Sequence, residues 1–209
     1  MSEALIVCNG NPPPEGLLLR HWERVDWRIA ADGGANVLSR LGLTPDVVVG
    51  DLDSLHPELR ERLPAEALIR IVEQETNDAD KAIRFSLEKG AECLHIFGAE
   101  GGRSDQFLAN LDVLYKYSTQ ARLILWTELE RCEFVRDLWQ ETLSVGATVS
   151  LFPLFGPVEG ITTEGLEYAL TDQVLTPGTP PSGVSNRAVS SRVSVQVRAG
   201  SLLVMASHL

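Results

Sequence analysis

A chain of 209 residues, 44% hydrophobic and 22% charged, carries enough apolar side chain to bury a core, and it is not a disordered polymer. Its 29 Asp and Glu outweigh 18 Lys and Arg and leave a formal charge of −11, which repels nucleic acid and anionic membrane surfaces at long range. A polyanionic substrate would need a bridging cation or a local basic patch.

The first two-thirds of the chain alternates short apolar runs with helix-like segments, as parallel strands joined by crossover helices do. Strands are predicted at residues 5–8, 28–31, 47–49, 68–71, 94–97 and 123–126. Ala79, Ala82, Ile83 and Leu87 recur at near-helical spacing, with Gly90 as a stop. Phe107, Leu108, Leu111, Leu114 and Tyr115 form a second stripe, with Ser104 or Asp105 as its cap. After about residue 140 the texture turns to β-branched residues, Gly and Pro. Strands are predicted at 142–152, 160–163, 169–175, 188–197 and 202–205, with a proline-rich loop at 176–183. The expected fold is α/β: a mostly parallel α/β domain over 1–140, then a small all-β sandwich over 141–209.

No stretch approaches the length of a membrane span, and the N-terminus has no basic segment ahead of a long apolar run. Cys8, Cys93 and Cys132 show neither metal-ligand spacing nor a disulfide framework, so buried, reduced thiols and a cytoplasmic location are expected.

The strongest local signal is Val47-Val48-Val49-Gly50-Asp51-Leu52-Asp53-Ser54, an apolar strand ending in two acids one residue apart. Extended geometry would point both carboxylates the same way, as a shared hard cation requires. Ligands of open α/β sheets gather at the carboxyl ends of strands. The bland alternative is that such acids only form turns and caps. The same sheet end should carry Asp32-Gly33-Gly34-Ala35-Asn36, whose glycines allow close backbone approach. A third patch, Glu75-Thr76-Asn77-Asp78-Ala79-Asp80-Lys81, opens a helix; its acids suit the helix dipole, whereas Lys81 there suits phosphate. The fourth, residues 98–106, joins glycines, Arg103 and a helix N-terminus into an anion site. Four acid-bearing segments after four strands are hard to explain as independent turns. With Mg2+ bridging carboxylates to phosphate oxygens, their convergence would resolve the charge conflict.

Together these residues resemble the thiamine pyrophosphokinase family. The resemblance rests on ADGGAN at 31–36, GDLDS at 50–54, NDADKAI at 77–83, GAEGGRSDQ at 98–106, GLEYAL at 165–170 and GVSNRA at 183–188, and it covers nearly the whole chain. It implies transfer of pyrophosphate from Mg-ATP to the hydroxyethyl oxygen of thiamine. It further implies that Asp51, Asp53 and Asp78 hold Mg2+, with Asp32, Arg103 and Asp105 completing the catalytic cleft. Asn9, Lys81, Arg103 and Gln106 would bind ATP; Asn36, Tyr168, Ser185 and Asn186 would face thiamine, Tyr168 being either a wall residue or a core aromatic. A homodimer is implied, with thiamine between one subunit's α/β domain and the other's sandwich. Two departures stand out: Asn77 where Thr is common, and Glu75 where Asp is usual.

Two rivals belong to other classes. A haloacid-dehalogenase-like phosphatase would use Asp51 as nucleophile, but its motif ends the first strand of its domain, and two predicted strands precede Asp51 here. A module that senses nucleotide or thiamine without chemistry would not need so many acids beside a polyanion. Neither a Walker-type P-loop nor a dinucleotide fingerprint is present.

Overall fold

The computed structural model describes residues 2–11, 14–181 and 183–208; Ser182, in the proline-rich loop, lies outside the described residues. The chain divides into two compact units, Met1–Glu128 and Leu129–Leu209.

In the first unit β1 (Glu3–Val7), β2 (Trp27–Ala31), β3 (Val47–Gly50), β4 (Leu68–Arg70), β5 (Cys93–Phe97) and β6 (Arg122–Trp126) lie in the order β6-β5-β1-β2-β3-β4. Every pairing among them is parallel. The central strands are near-continuous apolar runs because helices cover both faces of such a sheet; β3 and β5 are buried along their whole length. β1 has β2 on one side and β5 on the other, so the connections reverse direction between β1 and β5. A crevice opens at that switch point beyond the strand ends.

The helices are α1 (Glu15–Trp22), α2 (Gly34–Arg40), α3 (Pro57–Arg62), α4 (Asp78–Glu88) and α5 (Ser104–Tyr117). The sequence pattern identifies α4 and α5 but not the first three, which are too short to repeat a period. α2 also buries Gly34 through Leu38 in succession and so has no polar face to alternate with. Asn77 caps α4, its Oδ1 accepting the Asp80 N–H at 2.9 Å. For α5 the expectation fails: Arg103 occupies the cap position without a side-chain capping bond, and Asp105 accepts from the Arg103 guanidinium and from the Gln106 N–H. The buried face of α5 is rotated from the predicted stripe, taking in Asn110, Val113 and Tyr117 and leaving Leu108 60% exposed.

The second unit contains two antiparallel sheets. β7 (Glu130–Val135), β9 (Thr148–Phe152), β12 (Asn186–Arg187) and β14 (Leu202–Ser207) run in the order β12-β9-β14-β7. β8 (Leu138–Thr142), β10 (Val158–Glu164), β11 (Gln173–Leu175) and β13 (Arg192–Gln196) run β11-β10-β13-β8. Val149, Leu151, Val193, Val195, Val204 and Ala206 meet in one core. The predicted strand 142–152 is broken by a turn at Gly146, where φ is +94°. β7 and β8 precede the change of texture at residue 140 because charged Glu133 is buried in β7 and apolar Leu138 is exposed in β8, which masks the apolar alternation.

Candidate active site

The crevice at the switch point is a cavity of about 800 Å³. Its walls are the turn after β1, the segment after β3, the start of α4 and the glycine-rich loop after β5. Backbone bonds zip two of these walls together, from Gly10 N–H to the Gly98 carbonyl and from Asn11 N–H to the Glu100 carbonyl, both at 2.7 Å. Only glycine fits at position 10, since a Cβ there would lie 2.1 Å from the Glu100 carbonyl oxygen.

Asp32, Asp51 and Asp53 converge, each offering a carboxylate oxygen within 4.8 Å of the others. Strand alternation is not the cause, contrary to the extended geometry expected from the sequence. Leu52 turns into the left-handed region at φ +66° and buries its side chain, while Asp51 accepts the Asp53 N–H at 3.2 Å. Asp32 is itself left-handed at φ +43°. Its Oδ2 accepts the Ser54 N–H, and its Oδ1 is buried with no hydrogen-bond partner. Asp78 approaches from α4 past Gly50, where a Cβ would meet the Asp32 Cβ at 2.7 Å and Asp78 Oδ1 at 3.1 Å. Lys81, its side chain 3% exposed, reaches Asp78 Oδ1 at 3.3 Å.

These carboxylates disfavour one another's charge. Burial pushes the Asp32 carboxyl above the usual range, with Asp51 and Asp53 adding to the shift against the Ser54 bonds. Burial also raises Asp78, helped by Asp32 and Asp51 and opposed by Lys81. Asp51 is held low, chiefly by the Asp53 N–H. An orphaned buried oxygen among mutually repelling carboxylates is the donor set of a hard divalent cation, and the residues fit Mg2+.

The remaining expected residues divide by position. Asn9, Lys81, Arg103 and Gln106 line the cavity. Asp105 does not; it forms an exposed two-bond pair with Arg103 at 3.1 and 2.6 Å. Both ends of the Asn36 amide are engaged in the loop after β3, donating to the Ser54 carbonyl and accepting the His56 N–H. In the second unit, Asn186 clamps Tyr168 by accepting its N–H at 3.0 Å and donating to its carbonyl at 2.8 Å. Tyr168 is 68% exposed, which excludes the core reading, and Ser185 is exposed at φ +58°. Sequence reasoning passed over Gln74, whose amide meets Asp51 Oδ2 at 3.4 Å, and over Asn110 on the cavity wall. Asn110 did leave a signal, as a polar residue in the apolar register of α5.

Glu3, Cys93 and His95 also bring ligand atoms within 4.8 Å of one another. Trp126 donates its indole N–H to His95 Nδ1 at 3.1 Å, so the proton of the neutral ring sits on Nε2, which faces Glu3 at 3.6 Å. That proton opposes a metal at Nε2, and the group is a hydrogen-bonded array.

Residues 18–125 match the family model for the thiamin pyrophosphokinase catalytic domain, and residues 139–202 match the thiamin pyrophosphokinase vitamin B1 binding domain. The chain belongs to the thiamin pyrophosphokinase family. Among curated relatives of that family, thiamine pyrophosphokinase 3 of Oryza sativa subsp. japonica is 30% identical, the match covering 80% of this chain and 72% of the relative. Thiamine pyrophosphokinase of Bacillus subtilis is 28% identical, with 86% of each chain covered. The crystal structure of the Bacillus subtilis thiamine pyrophosphokinase superposes with a TM-score of 0.87 at 26% identity, covering 99% of both chains. Yeast thiamin pyrophosphokinase, at 17% identity and a TM-score of 0.83 over 99% of this chain and 86% of that one, shares the fold.

Proposed function

We propose that this protein transfers the terminal pyrophosphate of ATP to the hydroxyethyl oxygen of thiamine, giving thiamine diphosphate and AMP. The observation that carries the reading is that Asp51, Asp78, Lys81, Arg103 and the glycine-rich loop line one cavity of a family member, with the Asp32 and Asp53 carboxylates converging on Asp51. Transfer of pyrophosphate requires attack at the β-phosphorus and loss of AMP, so charge must be managed along the whole triphosphate. Mg2+ held by Asp51 and Asp53, with Asp32 or Asp78 completing the set, would supply that charge neutralisation.

The chain's own residues do the rest. Lys81, nearly buried, presents a fixed positive charge beside Asp78 to the phosphates. Arg103 steadies the pyrophosphate, and Asp105 aims the guanidinium through its two-bond contact. Asp32, whose carboxyl burial holds above its usual range, is suited to take the proton of the thiamine hydroxyl. Tyr168 and Ser185 provide the thiamine side, with Asn186 holding Tyr168 in place. Asn36 serves by fixing the loop that carries Asp51 and Asp53. The working form is a homodimer in the cytoplasm, each thiamine being held by the second unit of one subunit for the acids of the other. No helix among the described residues is long and apolar enough to cross a membrane.

The test is to incubate the protein with Mg2+, ATP and thiamine and identify both products by mass spectrometry. AMP and thiamine diphosphate should form in equal amounts. ADP with thiamine monophosphate would mean that the cavity is a phosphate site for a different reaction.

A further inference from the structure

Asn110 is a polar residue, 8% exposed, at a position where helical periodicity calls for an apolar one. It is the last side chain in a relay of three hydrogen bonds that run in one direction, two of them its own. The Asp80 N–H donates to Asn77 Oδ1 at 2.9 Å, Asn77 Nδ2 donates to Asn110 Oδ1 at 3.0 Å, and Asn110 Nδ2 donates to the Ala99 carbonyl at 2.8 Å. The relay begins at a backbone group that can only donate and ends at one that can only accept, so the orientation of both amides is fixed. Through Asn77 and Ala99 it joins two walls of the cavity. Asn77 opens the helix that carries Asp78 and Lys81, and Ala99 opens the glycine-rich loop that carries Arg103.

We propose that Asn110 is a positioning residue for the nucleotide: it ties the Lys81 wall to the Arg103 wall and so sets the width of the phosphate cradle. The inference rests on the reading of the cavity as a nucleotide site. A side chain that only packed α5 against its neighbours would need neither a fixed amide direction nor partners on two cavity walls. The bond to Ala99 holds the start of this glycine-rich loop from the α5 side, while the Gly98 and Glu100 carbonyls accept from Gly10 and Asn11 on the β1 side.

Two substitutions probe it. Asn110→Asp keeps the shape and the Asn77 bond but sets an oxygen against the Ala99 carbonyl; Asn110→Leu removes both bonds without repulsion and carries the measurement if the first variant does not fold. Either should weaken binding of Mg2+ with a nonhydrolysable ATP analogue, and raise the KM for ATP, by about tenfold, while the KM for thiamine stays within about twofold. Leu18→Ala, a fully buried α1 position away from the cavity, should lower the melting temperature yet leave the KM for ATP unchanged. Folded Asn110 variants that lose stability as Leu18→Ala does, with analogue affinity and KM for ATP within about twofold of the parent, would overturn the proposal. If the parent binds the analogue but does not turn over thiamine, the proposed reaction fails while analogue affinity still decides the role of Asn110. If the parent binds no nucleotide, both readings fall.

Discussion

Asp78 and Asp80 stand two residues apart at the start of α4, and the structure gives their removal opposite consequences. Asp80 is inward: its side chain is 4% exposed, with Lys116 Nζ at 2.7 Å and the Tyr117 hydroxyl at 2.8 Å. In Asp80→Ala the Tyr117 hydroxyl, in a residue 6% exposed, loses its acceptor, at about 1–3 kcal/mol. Lys116 is half exposed and returns to water, so its share is discounted to about 1 kcal/mol or less. The sum, about 1–4 kcal/mol, corresponds to a fall in melting temperature of roughly 2–16 °C for a chain of this size. Asp78 differs, because burial and the charges of Asp32 and Asp51 already disfavour its carboxylate. Asp78→Asn should leave stability unchanged or raise it, while turnover falls by about two orders of magnitude. Urea unfolding followed by tryptophan fluorescence, with a double-mutant cycle of Asp80→Ala and Tyr117→Phe, measures the first effect; steady-state turnover measures the second. An Asp80→Ala protein within about 0.5 kcal/mol of the parent, or a cycle without coupling, would refute the reasoning.

Asp51→Asn should fold normally and lose turnover by about two orders of magnitude or more, read by AMP release beside a melting curve. Asn186→Ala should raise the KM for thiamine through displacement of Tyr168, leaving binding of an ATP analogue unchanged by calorimetry; equal damage to both would indicate a general loss of stability. Mixing Asn186→Ala with Asp51→Asn subunits should restore part of the activity once exchange is demonstrated, and no recovery would count against a shared site. His21 lies over His95 with ring centroids 4.1 Å apart, and burial followed by His95 pulls its pKa from 6.5 down to about 4. Because the folded value is the depressed one, the unfolded chain binds the proton first. The contribution of His21 is therefore complete above pH 6.5 and lost as pH falls towards about 4. Melting temperatures of the parent and His21→Phe across that window should diverge from this profile, the substituted protein losing less on acidification.

All six parallel strands of the first unit are legible in the sequence alone, and most clearly β3 and β5, because strands buried on both faces read as apolar runs without any knowledge of their neighbours. It also pointed to segments that come to line one cavity, since Asp51, Asp78 and Lys81, and the glycines around Arg103 each lie where a strand ends or a helix begins. What it could not supply is anything set by the meeting of segments distant in the chain. Leu52 enters the left-handed region while its side chain is buried, and that turn, rather than strand alternation, joins Asp53 to Asp51. Asp32 joins them only because Gly50, eighteen residues away, leaves room for its Cβ. Asp78 and Asp80 look alike in sequence, and only the position of Tyr117 makes one a structural acid and the other a cavity acid. Asn36 and Asn186 look like ligand contacts in the sequence, and only the structure shows that their amides also bind backbone groups. Asn110, a polar interruption in one helix, acquires its meaning from Ala99 and Asn77, which are brought to it by the packing of α4 and β5. Local pattern records what a residue prefers, whereas a hydrogen-bond partner or a close approach exists only after the sheet and its helices have assembled.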